Sequence, residues 1–220
     1  MEKEFRRCII IGGGEIPDKK DVDFFIKKFI NPVIISADGG LRNAMLLKLK
    51  TDYVIGDFDS VSKYYLGKLP KETVIVKIDR QSDTDIEKCI EFAGSRGCLE
   101  FLLIGGTGKR IDHTLGNISI LLRNSESKKI MMVTPDSVLQ VIRGEAVFSA
   151  ERGERISLFS FNEKTEITTE GLRYPLNGEK LLFGKREGTS NEALGERIVI
   201  KADKGELVIV RDLKSIIRNG

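Results

Sequence analysis

From Arg7 to about Pro135, short unbroken apolar runs alternate with stretches whose apolar residues recur at helical spacing. Cys8–Ile11 reads as a buried strand ended by Gly12-Gly13-Gly14. Val22, Phe25, Ile26, Phe29 and Ile30 follow at i, i+3, i+4, i+7 and i+8, the stripe of an amphipathic helix. The same alternation predicts strands at Val33–Ser36, Tyr53–Ile55, Thr73–Ile78, Phe101–Ile104 and Ile130–Val133. It predicts helices over Leu41–Leu49, around Ser62–Leu66, through Ile86, Cys89, Ile90 and Ala93, and through Leu115, Ile118 and Leu122. Thr84-x-x-Glu87 is a capping box at the head of the third of these. Strands without polar alternation, separated by helices, predict an α/β domain over residues 1–135, a mainly parallel sheet with helices on both faces.

After Pro135 the pattern changes. Val138–Ile142, Ile156–Phe161, Glu166–Thr169, Lys180–Phe183, Ile198–Ala202 and Leu207–Arg211 are short β-prone runs between turn residues. Asp203-Lys204-Gly205 between the last two is a hairpin signal. Residues 136–220 are therefore expected to form a second, all-β domain, with a helix only at its C-terminal end.

Composition narrows the function classes. The 220 residues are 40% hydrophobic and 31% charged with a net charge of +3, and no basic tract is interleaved with aromatics, so nucleic-acid binding is not expected. No apolar run approaches the ~18 residues of a membrane span, and the charged start Met1–Arg7 is no signal peptide. Three cysteines, Cys8, Cys89 and Cys98, sit in apolar or helical contexts without a C-x-x-C, as expected of reduced buried thiols in a cytoplasmic protein.

The candidate chemistry is carboxylate-rich. In open α/β sheets ligands bind beyond the carboxyl ends of the strands. Asp38 follows the second strand, Asp57 and Asp59 the third, Asp83 and Asp85 the fourth, and Asp112 the fifth. If the chain stays extended through Asp57-Phe58-Asp59, the two carboxylates project to one side, roughly 7 Å apart at ~3.3 Å per residue. Each Asp also suits a turn or a helix start, but gathered on one edge they would repel unless cations neutralised them. Oxygen-only ligands suit Mg²⁺, and Mg²⁺ brings phosphates with it. Gly105-Gly106-Thr107-Gly108-Lys109-Arg110 lies on the same edge, where glycines admit an anion and the two cations can meet it. It is not a P-loop, since Leu103 stands where the first glycine belongs and Arg110 where Ser or Thr belongs; Gly12-Gly13-Gly14 does not complete a dinucleotide fingerprint. His113, the only histidine, abuts Asp112 and is placed beside the site.

These motifs resemble the thiamine pyrophosphokinase (thiamine diphosphokinase) family over nearly the whole chain. They run in order: Ala37-Asp38-Gly39-Gly40, Gly56-Asp57-Phe58-Asp59-Ser60, Thr84-Asp85, Arg110-Ile111-Asp112-His113-Thr114-Leu115-Gly116-Asn117, Gly171–Leu176 and Gly188-Thr189-Ser190-Asn191-Glu192. The resemblance implies transfer of the β,γ-pyrophosphate of ATP to the hydroxyl of thiamine, with AMP released. It implies a C-terminal β-sandwich that binds thiamine and dimerises, with thiamine held between the α/β domain of one subunit and Ser-Asn of its partner. Carried over by position, Asp57, Asp59 and Asp85 would hold Mg²⁺ and serve catalysis together with Asp112. Asp38, Gly39, Gln81, Thr84, Lys109, Arg110 and Asn117 would contact substrate in the first domain, and Ser190 and Asn191 would contact the thiamine pyrimidine. Asp59 or Asp112 is the candidate proton acceptor. Lys109 replaces a glycine usual in the family, and Ser82 stands where many relatives carry an acid, which leaves Asp83 out of the ligand set. There is no Trp, so any aromatic stacking on thiamine falls to Phe or Tyr. Two other readings stand beside this one. Asp57-Phe58-Asp59-Ser60-Val61 also fits the D-x-D-x-[TV] pattern of phosphatases with an aspartyl-phosphate at the first Asp. A non-catalytic nucleotide or thiamine sensor is the third.

Overall fold

The computed structural model describes residues 5–59, 63–80 and 82–220, so the expectations at Ser60 and Gln81 lie outside the described residues. Two compact units are present: one runs to Ile120 and resumes over Lys128–Pro135, the other comprises Leu121–Ser127 and Asp136–Gly220.

The first unit is built on six strands: β1 (Arg7–Ile11), β2 (Val33–Ala37), β3 (Tyr53–Gly56), β4 (Val74–Lys77), β5 (Glu100–Ile104) and β6 (Lys129–Val133). Their order is β6-β5-β1-β2-β3-β4, and every pairing among them is parallel. Cys8–Ile11 and Leu102–Ile104 are fully buried, which is why these runs carry no polar alternation. Between the strands lie α1 (Lys19–Lys28), α2 (Leu41–Leu46), α3 (Lys63–Leu66), α4 (Asp85–Gly94) and α5 (Ile111–Asn124). α1 is shorter than its apolar stripe predicts: it stops at Lys28, Asn31 takes a left-handed φ of 48° before Pro32, and Ile30 is left exposed. Thr84 caps α4 as expected, its Oγ1 accepting from the Glu87 N–H at 3.3 Å.

The second unit holds β7 (Ser137–Ser149), β8 (Arg155–Phe159), β9 (Glu166–Glu170), β10 (Gly188–Glu192), β11 (Arg197–Asp212) and α6 (Leu213–Arg218). All its strand pairings are antiparallel. The long pair β7–β11 carries β9 on the first half of β11, and β8 followed by β10 on the second, around a core that includes Ile156, Leu158, Ile167, Ile198, Ile200 and Ile209.

Two expectations are corrected here. Asp203-Lys204-Gly205 is no hairpin: β11 runs straight through it, and the register against β7 slips between Ala202 and Leu207, with Lys204 at φ 60°. The left-handed residue makes a bulge because β7 is long enough to pair on both sides of it. Lys180–Phe183 forms no strand; it makes only the isolated bridge of Leu182 to Ser160, with Glu179 just before it bridging Ile167. Among the described residues no helix is long and apolar enough to cross a membrane. All three cysteines are free and buried.

Candidate functional site

The strand order reverses between β1 and β5, and such a switch point leaves a crevice beyond the carboxyl ends of the two strands. The loops that leave them are both glycine clusters, packed backbone to backbone. Gly14 N–H donates to Gly105 O at 2.9 Å and Glu15 N–H to Thr107 O at 2.6 Å. A Cβ on Gly12 would stand 2.5 Å from Gly105 O, and one on Gly13 2.8 Å from Gly39 O, so neither loop tolerates a side chain at the contact. Asn43, on α2, locks this arrangement: its Nδ2 donates to Gly12 O and Gly14 O, both at 2.8 Å. Asn117 does the same for the other loop, donating to Gly106 O at 2.6 Å.

The crevice is a cavity of about 810 Å³. Its walls include Gly39, Asp57, Thr84, Asp85, Lys109, Arg110 and Asn117 from the expected set, together with His113. Arg42, Arg80 and Lys88 also line it, and none of these was read from the sequence. Their signal was weak: single cations between apolar positions of helices, or in a loop with no motif of its own. Arg80 ion-pairs with Asp83 and Glu91 and so ties the loop before α4 to that helix.

Asp38 is the buried carboxylate of the group. It starts a 3-10 turn, Asp38–Gly40, and is only 4% exposed. Its Oδ1 accepts from Gly39 N–H at 2.5 Å and its Oδ2 from Phe58 N–H at 3.1 Å. Burial, then the charge and hydrogen-bonding of Asp85, push its pKa up to about 6, against the pull of the two backbone donors. Gly56 is what admits it, since a Cβ there would lie 2.5 Å from Asp38 Cγ and 2.6 Å from Oδ2.

The extended geometry expected at Asp57 and Asp59 is not found. β3 ends at Gly56, Phe58 is left-handed at φ 64°, and Asp57 Oδ1 accepts from Asp59 N–H at 3.1 Å. This Asx-type turn breaks the extended run that would project both carboxylates to one side. Asp57 lines the cavity, while exposed Asp59 is not among its walls. Asp112 is exposed and gripped by Arg110, whose Nε stands 2.9 Å from Oδ1 and whose Nη2 stands 2.5 Å from Oδ2. The Arg110 hydrogen bonds hold the Asp112 carboxyl well below the usual carboxylate range, which makes it a poor proton acceptor. Neither candidate base is favoured by this geometry.

A divalent cation can be tested against these donors. Among the described residues no three carboxylate, histidine or cysteine side chains converge to hold an ion, so Asp57, Asp59 and Asp85 do not form a ready-made ligand set. The carboxylates that meet are Asp38 and Asp85, with Asp57 on the cavity wall near them. Their mutual repulsion, visible in Asp38, is the surplus of negative charge a cation would relieve. A hard cation of the Mg²⁺ kind commonly takes one or two carboxylates and fills its remaining positions with water and phosphate oxygens. On that count the donors fit.

In the second unit, Ser190 is exposed at φ 58°, and its N–H donates to Ser157 Oγ at 3.0 Å. Asn191 is buried, and its amide is committed to backbone: Oδ1 accepts from Tyr174 N–H at 3.0 Å and Glu192 N–H at 2.9 Å, and Nδ2 donates to Tyr174 O at 2.7 Å. It ties the Gly171–Leu176 motif to β10, so Ser190 and Tyr174 are the groups left facing solvent.

Comparison with known proteins adds the following. Residues 28–133 match the model of the thiamin pyrophosphokinase catalytic domain, and residues 144–207 that of the thiamin pyrophosphokinase vitamin B1 binding domain. The chain is similar to thiamine pyrophosphokinase of Bacillus subtilis, 28% identical over 162 residues, which cover 71% of this chain and 76% of that one. It is 28% identical over 172 residues to thiamine pyrophosphokinase 1 of Arabidopsis thaliana, of whose length it spans 63%. In fold it matches the crystal structure of the Bacillus subtilis protein with a TM-score of 0.82 at 23% identity, covering 94% of this chain and 99% of that one. The yeast structure gives a TM-score of 0.75 at 19% identity, over 99% and 90% of the two chains.

Proposed function

Because this chain belongs to the thiamin pyrophosphokinase family, we propose that it transfers the β,γ-pyrophosphate of ATP to the hydroxyl of thiamine, giving thiamine diphosphate and AMP. The observation that carries this reading is the cavity at the β1–β5 switch point, walled by glycine loops, five cations and the acids Asp57 and Asp85. Backbone donors of the glycine loops, with Lys109, Arg110 and Arg42, suit the triphosphate of a nucleotide. Asp85, Asp38 and Asp57 are the residues that would hold Mg²⁺. When bound, Mg²⁺ supplies charge neutralisation at the transferred phosphoryl groups and at the AMP leaving group. The chain's own part is to orient the attacking hydroxyl in line with the β-phosphorus and to meet the phosphate charge with the lining cations, both of which lower the barrier.

Thiamine belongs to the second unit of a partner copy, with Ser190 as the direct contact and Asn191 holding the loop that presents it. We read the folded strand pair β7–β11 with β8, β9 and β10 as the β-sandwich through which two copies associate. Neither the phosphatase nor the sensor reading gains support from the comparisons.

Incubating the chain with ATP, Mg²⁺ and thiamine tests the activity. Thiamine diphosphate and AMP in equal amounts are expected; phosphate release from simple monoesters, or binding without turnover, refutes it. Mixing Asp57→Asn with Ser190→Ala tests the shared site, since mixed dimers are expected to recover activity that neither variant has alone. A mixture as inactive as its parts refutes the shared site.

A further inference from the structure

Among the described residues, Lys88 is the one lysine of the first unit whose side chain is enclosed, at 2% exposure, and it sits on α4 one turn beyond Asp85. Lysine is almost never buried without a partner. Here the partner is Asp85, whose Oδ1 accepts from Nζ at 3.0 Å and whose carboxylate also interacts with Asp38. The neighbouring α4 positions Ile86, Cys89, Ile90 and Ala93 are buried and apolar, so a methionine of similar length would fill the space without the cost of desolvating an ammonium. What an ammonium adds is a fixed positive charge and a directed hydrogen bond beneath the cavity, whose walls Lys88 shares with Asp57 and Asp85.

We propose that Lys88 is a positioning residue: its ammonium, buried beneath the cavity, fixes the Asp85 carboxylate beside Asp38 in the orientation that receives a divalent cation. Asp85 has two oxygens, and the lysine claims one of them. The rotation of the carboxylate is thereby restricted while its interaction with Asp38 is kept. Without Lys88, Asp85 sits on the first turn of α4 free to turn toward solvent, and two adjacent carboxylates lose the cation that lets them stay together before the metal arrives. Partners of this kind orient ligands from behind and tune affinity without touching the ion. The inference rests on reading the cavity as a cation and nucleotide site.

The test is Mn²⁺ binding to the full chain without substrates, read from the loss of free-ion signal in electron paramagnetic resonance. Lys88→Met and Lys88→Gln are expected to melt as cooperatively as the parent and to weaken Mn²⁺ binding by about 10- to 100-fold. Lys88→Arg keeps the charge and is expected to stay within about threefold, despite its different donor geometry. A folded neutral variant that binds Mn²⁺ as the parent does overturns the proposal. If neither neutral variant folds, Lys88→Arg decides: retained affinity supports the role of the charge, and a folded arginine variant weakened as much as 10-fold overturns it. The measurement needs neither ATP nor thiamine. A parent that makes no thiamine diphosphate would refute the proposed activity and leave this result standing.

Discussion

Replacing Gly56 by alanine tests the core of the site with the smallest possible change. The added methyl would lie 2.5 Å from Asp38 Cγ, 2.6 Å from Oδ2 and 2.7 Å from Cβ. To reach ordinary contact the Asp38 carboxylate must retreat by roughly 1 Å. That retreat strains its hydrogen bonds from Gly39 and Phe58, at 2.5 and 3.1 Å, and parts it from Asp85. Overpacking costs about 1–3 kcal/mol, and each hydrogen bond to a charged acceptor about 1.5–3 kcal/mol when lost. The terms overlap, so a total of about 2–5 kcal/mol is expected, less than their sum. For a chain of this length each kcal/mol moves the melting midpoint by roughly 2–4 °C, so Gly56→Ala should melt roughly 5–15 °C lower. A carboxylate displaced by roughly 1 Å should also lower kcat/KM by about 100-fold. The assays are thermal unfolding by circular dichroism and steady-state kinetics. The mechanism predicts its own rescue: in an Asp38→Gly background all three clashing atoms are gone, and the cost of Gly56→Ala in stability should nearly vanish. A Gly56→Ala protein with the parent's midpoint and activity, or an undiminished cost in the Asp38→Gly background, refutes the reasoning.

Other outcomes follow from the same coordinates. Gly116→Ala, inside α5 with open space where the methyl goes, should stabilise by about 0.5–1 kcal/mol in urea unfolding, through the helix preference for alanine. In the second unit, Arg211 forms a buried bidentate pair with Glu154 at 2.7 and 2.9 Å; Arg211→Met leaves Glu154 without its cation and should cost about 3–5 kcal/mol by denaturant titration. Glu151 is held at a pKa of about 2 by hydrogen bonds from Arg218 and then Ser215. Its folded pKa lies below the unfolded value of 4.5, so its contribution is complete above pH 4.5 and is lost as pH falls toward 2. Glu151→Gln should therefore flatten the fall in melting midpoint over that window while leaving the slope between pH 6 and 8 unchanged.

Much of the first unit was legible because its strands are buried on both sides. Cys8–Ile11 and Phe101–Ile104 announce themselves as unbroken apolar runs, and parallel pairing follows from the helices between them. The placement of Asp57, Asp85, Lys109 and Arg110 on one edge, with Asp38 beside Asp85, followed from the same logic. What the pattern hid was local backbone geometry. The left-handed turn at Phe58 breaks the extended spacing that period-two alternation predicts for Asp57 and Asp59. Lys204 shows the converse: a residue sequence that makes a hairpin elsewhere makes a bulge here, because the partner strand β7 continues past it. Asn43 and Lys88 were invisible for another reason. Each sits at a buried helical position where composition alone suggests an ordinary polar surface residue, and only the loop or carboxylate beside it reveals the bond it makes. Asn191 was noticed, but the structure gives its amide a task within the fold.

The most direct test of the central claim follows the phosphorus atoms. With ATP labelled at the γ-phosphorus and thiamine in Mg²⁺ buffer, the account predicts that the label arrives in the terminal phosphate of thiamine diphosphate, with one AMP formed per label transferred. Label released as inorganic phosphate, or ADP formed in place of AMP, contradicts it.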